Sequence, residues 1–254
     1  MLKMSQNSKG NLLDKSLKII QSFVDEKESW GVRELAAYLN YTVPTTHRIL
    51  LQLRNQGIVE FNVEKNKYFI GTELIRIGSK IANSTNLQSI AKTFLRDLSK
   101  KYGETICLLM LKKDKKKIFW VDKVNGSKPL QYIIPIGELQ PIPYGSSGKT
   151  ILAFLEEDLI REIIQEERFT KEETEQIMEE LNRIRKEKVH CSVSERLEGS
   201  TGVGSPIFNS FNEPIGSIIL TAPTSRLTES IIKKASIDIR NAATEISTIL
   251  GATL

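Results

Sequence analysis

A run of polar residues between Thr42 and Arg54 carries the side-chain chemistry needed to contact DNA. Its hydroxyl, imidazole, amide and guanidinium groups can bond phosphate oxygens and base edges, and no acidic residue follows before Glu60. An ordinary solvated helix face is the alternative. We predict DNA contacts by this run and by a lysine of the polar turn that follows it, the contacting residues being Thr42, Thr45, His47, Arg48, Gln52 and Lys65.

A glycine- and serine-rich segment at residues 145–150 invites a phosphate-binding interpretation. The phosphate loop G-x-x-x-x-G-K-[ST] requires a glycine at position 143, where this chain has Pro143, which lacks an N–H. Nucleotide hydrolysis is therefore not predicted. A helix is expected to begin after the segment, near Ile151, and free backbone N–H groups at its N-terminus would favour a small anion such as a carboxylate.

Candidates for metal binding or catalysis are few. His190 and Cys191 form the only adjacent pair of soft ligands, but a metal site needs three or four ligands, so structural roles are the simpler interpretation. A nucleophilic Cys191 or Ser146 would need an orienting base, and the only other histidine belongs to the polar run. Glu195 and Glu198 could act as acid and base, yet such acids are usually solvated. We predict no catalytic residue, no metal and no cofactor.

The polar run needs a helix-turn-helix to present it, and the flanking residues predict one. Asn40 tolerates the left-handed conformation of a sharp helix end. Thr42 is a good N-cap for the next helix, Pro44 suits its first turn, and Gly57 ends it. The polar run therefore lies on the second helix of the pair.

Two short alternating strands, residues 59–61 and 68–70, follow this helix pair. Together they predict a winged helix, a fold that presents its second helix to the major groove of DNA. An amphipathic helix precedes the pair, and its predicted inward face is Leu13, Leu17, Ile20 and Val24.

A narrow apolar stripe of Leu74, Ile77 and Ile81 follows the wing on a predicted linker helix. The stripe is too narrow to form a core, so we predict that it packs against a partner such as a second copy of the chain. Residues 83–86 interrupt the helix, and the next one has a predicted inward face of Leu87, Ile90, Phe94 and Leu98.

The second half predicts helices that cover a largely antiparallel sheet, an α+β sandwich. A capping box runs from Thr170 to Glu173, and a final helix ends at Gly251. The lysine-rich turn at residues 112–117 could contact nucleic acid, but a solvated hairpin tip is the simpler interpretation. Strands are predicted at residues 105–111, 118–121, 130–136, 190–194, 202–208 and 215–221.

Length and composition predict two globular domains in a reducing compartment. The chain has 254 residues, of which 40% are hydrophobic and 26% charged, and a net charge of +5 that permits a polyanionic partner. Its two cysteines, Cys107 and Cys191, lie far apart without CxxC spacing, so no disulfide scaffold is expected. No secretory signal or membrane-spanning stretch is recognisable, and a cytoplasmic protein is expected.

Several segments in order resemble the IclR family of bacterial transcription regulators. They are DKSLKIIQSF, TTHRILLQL and YFIGTELIRIG in the first third, and GETICLLML, PYGSSGKTILAFL, VHCSVSERLEGSTGVGSPIFN and EPIGSIILTAP further on. The resemblance extends along nearly the whole chain, and the order and spacing of the segments make it specific.

The resemblance implies a winged helix-turn-helix over residues 10–71, a linker and dimerisation helix over 72–85, and a GAF-like α/β effector-binding domain over 86–254. It further implies dimers or tetramers on palindromic operators and a response to small organic acids or aromatic compounds. The implied effector-pocket residues are Gly145, Ser146, Ser147, Ser192, Ser200, Gly202, Ile219 and Thr221.

The chain departs from the family where the pocket is expected. It carries Ser146 and Ser147 where the family usually has alanine, and Asn40 in place of the usual turn glycine. We identify no arginine in the expected pocket stretches. The predicted ligand is therefore a small hydroxylated organic acid, held by backbone N–H groups and by hydroxyls such as that of Thr221 rather than by a salt bridge.

The leading hypothesis is an effector-responsive transcriptional regulator, a repressor of the genes downstream of its operator. A small-molecule-converting enzyme with an accessory DNA-binding domain is the alternative, and a ligand-independent architectural protein is a third. A regulator would bind its own promoter fragment sequence-specifically and convert no substrate.

Overall fold

The computed structural model describes residues 11–82 and 87–253. The chain divides into two compact units, residues 1–84 and 85–254. Each unit has its own hydrophobic core. Among the described helices, none is both long and apolar enough to cross a membrane.

The first unit has the predicted winged-helix architecture. Three helices pack on a three-stranded antiparallel sheet in which the last strand lies between the other two. The first strand is too short to be recognised from alternation in the sequence. The elements are α1 (Leu12–Asp25), β1 (Ser29–Trp30), α2 (Val32–Tyr38), α3 (Val43–Asn55), β2 (Val59–Asn62) and β3 (Lys67–Ile70).

Local residues fix the turns of this unit as predicted. Asn40 has a φ of 54° and Gly57 a φ of 68°, the left-handed conformations that end α2 and α3. The Thr42 side chain accepts the Thr45 N–H and caps α3. The buried residues of the hydrophobic core of this unit are Ile19, Phe23, Trp30, Leu35, Ile49, Leu50, Val59 and Tyr68.

The predicted inward face of α1 is wrong. Leu13 is 65% exposed and Val24 68% exposed, whereas Ile19 and Phe23 are buried. The indole N–H of Trp30 donates to the carbonyl of Ser22 at 3.1 Å, which fixes the face that α1 turns to the sheet. The contact with Trp30 of β1 therefore decides that α1 buries the side with Ile19 and Phe23 and not the side with Leu13 and Val24.

Helix α4 (Thr72–Ala82) carries the predicted apolar stripe and follows the wing directly. The stripe residues Leu74 and Ile77 are half-buried, whereas Ile81 is exposed. Ile75, outside the stripe, is exposed as well. The predicted interruption at residues 83–86 lies outside the described residues.

The second unit is a six-stranded antiparallel sheet with helices on both faces, as predicted. The strand order is β6-β5-β4-β9-β8-β7. The strands are β4 (Thr105–Lys112), β5 (Lys117–Val124), β6 (Leu139–Pro141), β7 (His190–Val193), β8 (Ser200–Phe208) and β9 (Pro214–Pro223). The helices are α5 (Leu87–Tyr102), α6 (Gly145–Leu152), α7 (Glu157–Glu166), α8 (Lys171–Glu187) and α9 (Glu229–Ile249).

The alternation of β4 divides its side chains between two cores. Ile106 and Leu108 pack with α5 and α9, and Cys107 and Leu109 pack with α6, α7 and α8. On α5 the central buried residues are Ala91 and Leu95, while the predicted Ile90 and Phe94 are only partly buried. The period-two pattern thus places two helical layers on opposite faces of one sheet.

The strand predicted over residues 130–136 does not form. Leu130 has a φ of 62°, and Pro135 has no N–H to give to a ladder. Instead, Nη2 of the Arg226 guanidinium donates hydrogen bonds to the carbonyls of Pro129 and Leu130, at 2.5 and 2.8 Å. The edge strand is β6, further along the chain, and residues 130–136 are irregular apart from an isolated bridge between Ile136 and Trp120.

Candidate functional site

A cavity of about 220 Å³ opens in the second unit between α6, the ends of β8 and β9, and residues 132–135. All eight residues of the predicted pocket line it, although they come from four separate elements of the chain. The sequence did not identify several other lining residues, which are Trp120, Tyr132, Ile134, Glu195, Arg196 and Leu197.

The register of three strands places part of the cavity wall in one row. Ser192 of β7 pairs with Gly202 of β8, and Gly202 pairs with Thr221 of β9. A Cβ on Gly202 would lie 2.5 Å from Ser146 Oγ, so the glycine lets the first turn of α6 approach the sheet. The close approach brings two serines from distant parts of the chain to one cavity.

Helix α6 begins at Gly145, six residues before the predicted start. Tertiary packing overrides the low helix propensity of its glycines, since a Cβ on Gly148 would lie 1.6 Å from the carbonyl oxygen of Ile142. The predicted loop is therefore the first turn of the helix, packed against the preceding chain.

Two backbone N–H groups of this turn already have partners in the protein. The Gly145 N–H donates to Glu195 Oε2 at 3.1 Å, and the Ser146 N–H donates to Ser192 Oγ at 2.7 Å. The expectation that these groups are free to bind an anion is thus wrong. Any anion in the cavity must find other donors.

The expectation of a pocket without arginine is also wrong, because Arg196 lines the cavity. Its Nε donates to Ser147 Oγ at 3.1 Å, and its Nη2 donates to the carbonyls of Pro141 and Tyr144 at 2.9 and 2.6 Å. Burial lowers the pKa of this guanidinium to about 10, with the charge of Glu195 acting in the opposite direction. Arg196 belongs to the family-like segment VHCSVSERLEGSTGVGSPIFN, but only the fold shows that its side chain lies in the cavity wall.

Lys149 of the glycine-rich segment is a buried lysine that pairs with two partly exposed carboxylates and does not form a phosphate site. Its ammonium lies 2.6 Å from a carboxylate oxygen of Glu180 and 2.6 Å from one of Glu195. Its side chain is only 8% exposed. The lysine therefore forms ion pairs with two acids brought together by α8 and the segment after β7.

His190 lies beside this cluster, and its ligand nitrogen and the oxygens of Glu180 and Glu195 fall within 4.8 Å of one another. Burial lowers the pKa of His190, and its Nε2 has no hydrogen-bond partner among the described residues. Lys149 already supplies the cation between the two carboxylates, so the cluster is accounted for without a metal ion.

The two cysteines lack the environment of a nucleophile. Burial raises the pKa of Cys107 to about 12 and also raises that of Cys191, so both thiols stay protonated at neutral pH. Both are free cysteines.

In the first unit, the predicted DNA-contacting residues divide into two groups. His47, Arg48 and Gln52 project from α3 and are exposed, as is Lys65 of the wing turn. Thr42 is exposed too, but its hydroxyl donates to Thr45 Oγ1 at 2.8 Å. Those two hydroxyls therefore serve the helix cap, and the larger side chains are the accessible contact groups.

Arg33 of α2 is a candidate that the sequence reading missed. It lies in a surface groove shared with His47 of α3 and Asn66 of the wing. The signal available in the sequence was a lone arginine in the first turn of α2, which has no pattern of its own. The fold brings it beside the polar face of α3.

Two models of known protein families match consecutive parts of the chain. A family model described as "Bacterial transcriptional regulator IclR C-terminal" matches residues 79–248. A second, described as "IclR helix-turn-helix domain", matches residues 12–62. The chain belongs to the IclR family. It is thus a transcriptional regulator with a helix-turn-helix DNA-binding domain, as its sequence resemblance predicted.

Individual IclR-family relatives are similar in sequence to this chain over nearly the full length of both proteins. The transcriptional repressor IclR of Escherichia coli is 26% identical over 245 residues, covering 94% of this chain and 89% of the relative. The HTH-type transcriptional regulator KdgR of the same organism is 25% identical over 239 residues, covering 92% and 90%. These relatives are transcriptional regulators and not enzymes.

Solved IclR-family structures share the fold. A regulator from Alicyclobacillus acidocaldarius superposes with a TM-score of 0.83 at 19% identity, covering 95% of this chain and 99% of the other. An IclR homologue from Microbacterium hydrocarbonoxydans, crystallised with 4-hydroxybenzoate, gives a TM-score of 0.78 at 15% identity, covering 96% and 100%. The α+β architecture of both units is therefore that of the family.

Proposed function

We propose that this regulator is a repressor that binds a palindromic operator through its winged helix and responds to a small organic acid held in the cavity of its second unit. The observation that carries the proposal is the convergence of Ser146, Ser147, Ser192, Gly202 and Thr221 on one cavity. Five polar or small residues from four elements make a site suited to a small polar molecule.

Two comparisons support repression as the direction of regulation and an acid as the ligand of the cavity. Relatives of this chain include a transcriptional repressor and an acetate operon repressor. A structural neighbour was crystallised with 4-hydroxybenzoate, an aromatic acid. We extend repression and acid binding from these proteins to this chain as a proposal.

The DNA side of the proposal rests on the exposed face of α3. His47, Arg48 and Gln52 offer an imidazole, a guanidinium and an amide to base edges and phosphates, and Lys65 reaches the backbone from the wing. Thr42 and Thr45 contribute through the helix cap that they form. Arg33, in the same groove as His47, adds a phosphate contact.

A palindromic operator requires a symmetric protein, and α4 is the proposed dimerisation element. The exposed Ile81 and the half-buried Leu74 and Ile77 of the stripe leave apolar surface on this helix for a second copy. The proposed domains of the chain are a DNA-binding domain over residues 10–71, a linker over 72–85 and an effector domain over 86–254. We propose a dimer or tetramer that acts in the cytoplasm, as the family resemblance implies.

Fluorescence anisotropy with a labelled fragment of the chain's own promoter tests the function, with a scrambled fragment of equal length as control. We expect tight binding to the promoter only, and weaker binding when an acid identified by a thermal-shift screen of small carboxylates, sugar acids and aromatic acids is added. Equal affinity for both fragments would indicate the architectural alternative. Conversion of any screened compound would indicate the enzyme alternative.

A further inference from the structure

Arg196 places a cation in the wall of the cavity without a carboxylate bound to it. Its hydrogen-bond acceptors, Ser147 Oγ and the carbonyls of Pro141 and Tyr144, are all neutral. Among the residues that the structure describes, none forms an ion pair with its guanidinium, and the nearby Glu195 pairs with Lys149 instead. A partly desolvated cation that has only neutral acceptors gains free energy when an anion reaches it.

The hydrogen-bond geometry leaves part of the guanidinium for a ligand. An arginine has five N–H groups, and the three bonds of Arg196 use the one on Nε and the two on Nη2. Within the described part of the chain, the two N–H groups of Nη1 have no acceptor. The three bonds also hold the planar group in a fixed orientation, so little side-chain entropy remains to be lost on binding.

Two hydroxyls beside Arg196 are further donors. Ser147 Oγ accepts from Arg196 Nε, and Ser192 Oγ accepts from the Ser146 N–H. Each hydroxyl thus uses its oxygen as an acceptor and keeps its own hydrogen for another partner. The polar end of the cavity is rich in donors, which suits a carboxylate, a group that only accepts.

Glu195 sets a limit on the charge of the ligand. Its Oε2 is held by Lys149 Nζ at 2.6 Å and by the Gly145 N–H at 3.1 Å, so this carboxylate has a fixed place in the cavity wall. A second anionic group on a ligand would meet this charge in a partly desolvated site. The other walls, from Trp120, Tyr132 and Ile219, are mainly apolar.

We propose that Arg196 is the specificity-determining residue of this cavity and that it selects monocarboxylates with an apolar body over the corresponding amides and over dicarboxylates. The proposal rests on the proposed function in that it takes the cavity to be the effector site. It assigns the recognition of charge to one side chain of the cavity wall.

The competing role for Arg196 is purely structural. Its bonds to Pro141 and Tyr144 hold the chain that leads into α6, so its loss lowers stability under either role. The distinguishing measurement is the difference in affinity between an acid and its neutral amide, which a structural role leaves unchanged. This difference is first measured on the unmodified protein, where folding is not in question.

Isothermal titration calorimetry on the full chain tests the proposal with matched probes: benzoate against benzamide, and butyrate against butyramide and succinate. We expect at least one monocarboxylate to bind at least tenfold more tightly than its amide, and butyrate to bind at least tenfold more tightly than succinate. If no monocarboxylate exceeds its amide, or if succinate matches butyrate, the proposal is wrong.

The variant Arg196→Gln keeps polar donors but removes the charge, and we expect it to lose the preference for the acid over the amide. Arg161→Gln is the matched control, since Arg161 is exposed on α7 and does not line the cavity, and we expect it to keep the preference. An Arg196→Gln protein that is folded by circular dichroism and keeps the full preference would overturn the proposal. If operator binding responds to an acid that Arg196→Gln binds as tightly as the natural protein does, the proposed function survives and only the role of Arg196 fails.

Discussion

The ammonium of Lys149 lies 2.6 Å from Oε2 of Glu195, and the same oxygen accepts the backbone N–H of Gly145 at the start of α6. One carboxylate therefore joins the buried ammonium of Lys149 to the first turn of the helix that borders the cavity. The position of α6 against the sheet depends on this charge cluster as well as on apolar packing.

Lys149→Met is expected to destabilise the protein, because it leaves the carboxylates of Glu180 and Glu195 close together without their cation. We expect a loss of about 1–3 kcal/mol, the usual cost of removing a partner from a buried polar group. Urea unfolding followed by circular dichroism measures it. Lys113→Met is the control, since Lys113 is 59% exposed and its pairing with Glu156 should contribute little. Equal losses in both variants would contradict the prediction.

Protonation of His190 should destabilise the folded protein as the pH falls. Burial lowers its pKa below 6.5, so between that lowered pKa and 6.5 the unfolded chain binds more protons than the folded one. Stability therefore rises with pH across this window and is lost as the pH falls through it. Urea unfolding at pH 7.5, 6.5 and 5.5 should show a smaller pH dependence for His190→Asn than for the natural protein. Identical slopes would mean that His190 does not titrate in this range.

Arg48→Ala is expected to weaken operator binding, because Arg48 is exposed on α3 and can bond a base edge or a phosphate. The expected cost is about 1–3 kcal/mol, with a smaller salt dependence if the contact is to phosphate. Thr45→Ala should cost less, since its hydroxyl is engaged by Thr42. Anisotropy titrations at several salt concentrations measure both effects, with Arg161→Ala of the exposed face of α7 as control. Unchanged affinity and salt slope for Arg48→Ala would place α3 outside the groove.

Ile77→Asp is expected to weaken dimerisation and, through it, operator affinity. Ile77 lies in the apolar stripe of α4, where a buried carboxylate would have no partner in a dimer. Sedimentation velocity at micromolar concentration should show a dimer for the natural chain and dissociation for the variant. Ser79→Asp, on the opposite face of the helix, should remain dimeric. A natural chain that sediments as a stable monomer would rule out this interface.

Ser146→Ala and Thr221→Val test the hydroxyl donors of the cavity. A hydrogen bond to a charged group contributes about 1.5–3 kcal/mol, so the loss of either hydroxyl should weaken binding of the preferred acid by about tenfold or more. Calorimetry with the acid that the unmodified protein binds most tightly measures this. Unchanged affinity in both variants would show that the ligand does not contact these two residues.

The sequence by itself determined the features that depend on neighbouring residues. The left-handed end at Asn40, the cap at Thr42 and the capping box at Thr170 formed as predicted, because each is a short-range contact within one turn. The alternation of Ile106 to Leu109 likewise fixed two faces of a strand, since the period of a strand is a local property. Family resemblance then named the pocket residues that the fold brings together.

Tertiary structure alone decided what those residues can still bind. Pairing of Ser192 with Gly202 brings β7 to the cavity. The Ser192 hydroxyl and the Glu195 carboxylate accept hydrogen bonds from the N–H groups of Ser146 and Gly145, which the sequence alone predicts to be free. Arg196 enters the wall through contacts with residues about fifty positions away. No local pattern encodes such contacts, because they are selected by the competition of many buried donors for few acceptors. The sequence thus places the cavity in the chain, and long-range packing decides which of its charges and donors face a ligand.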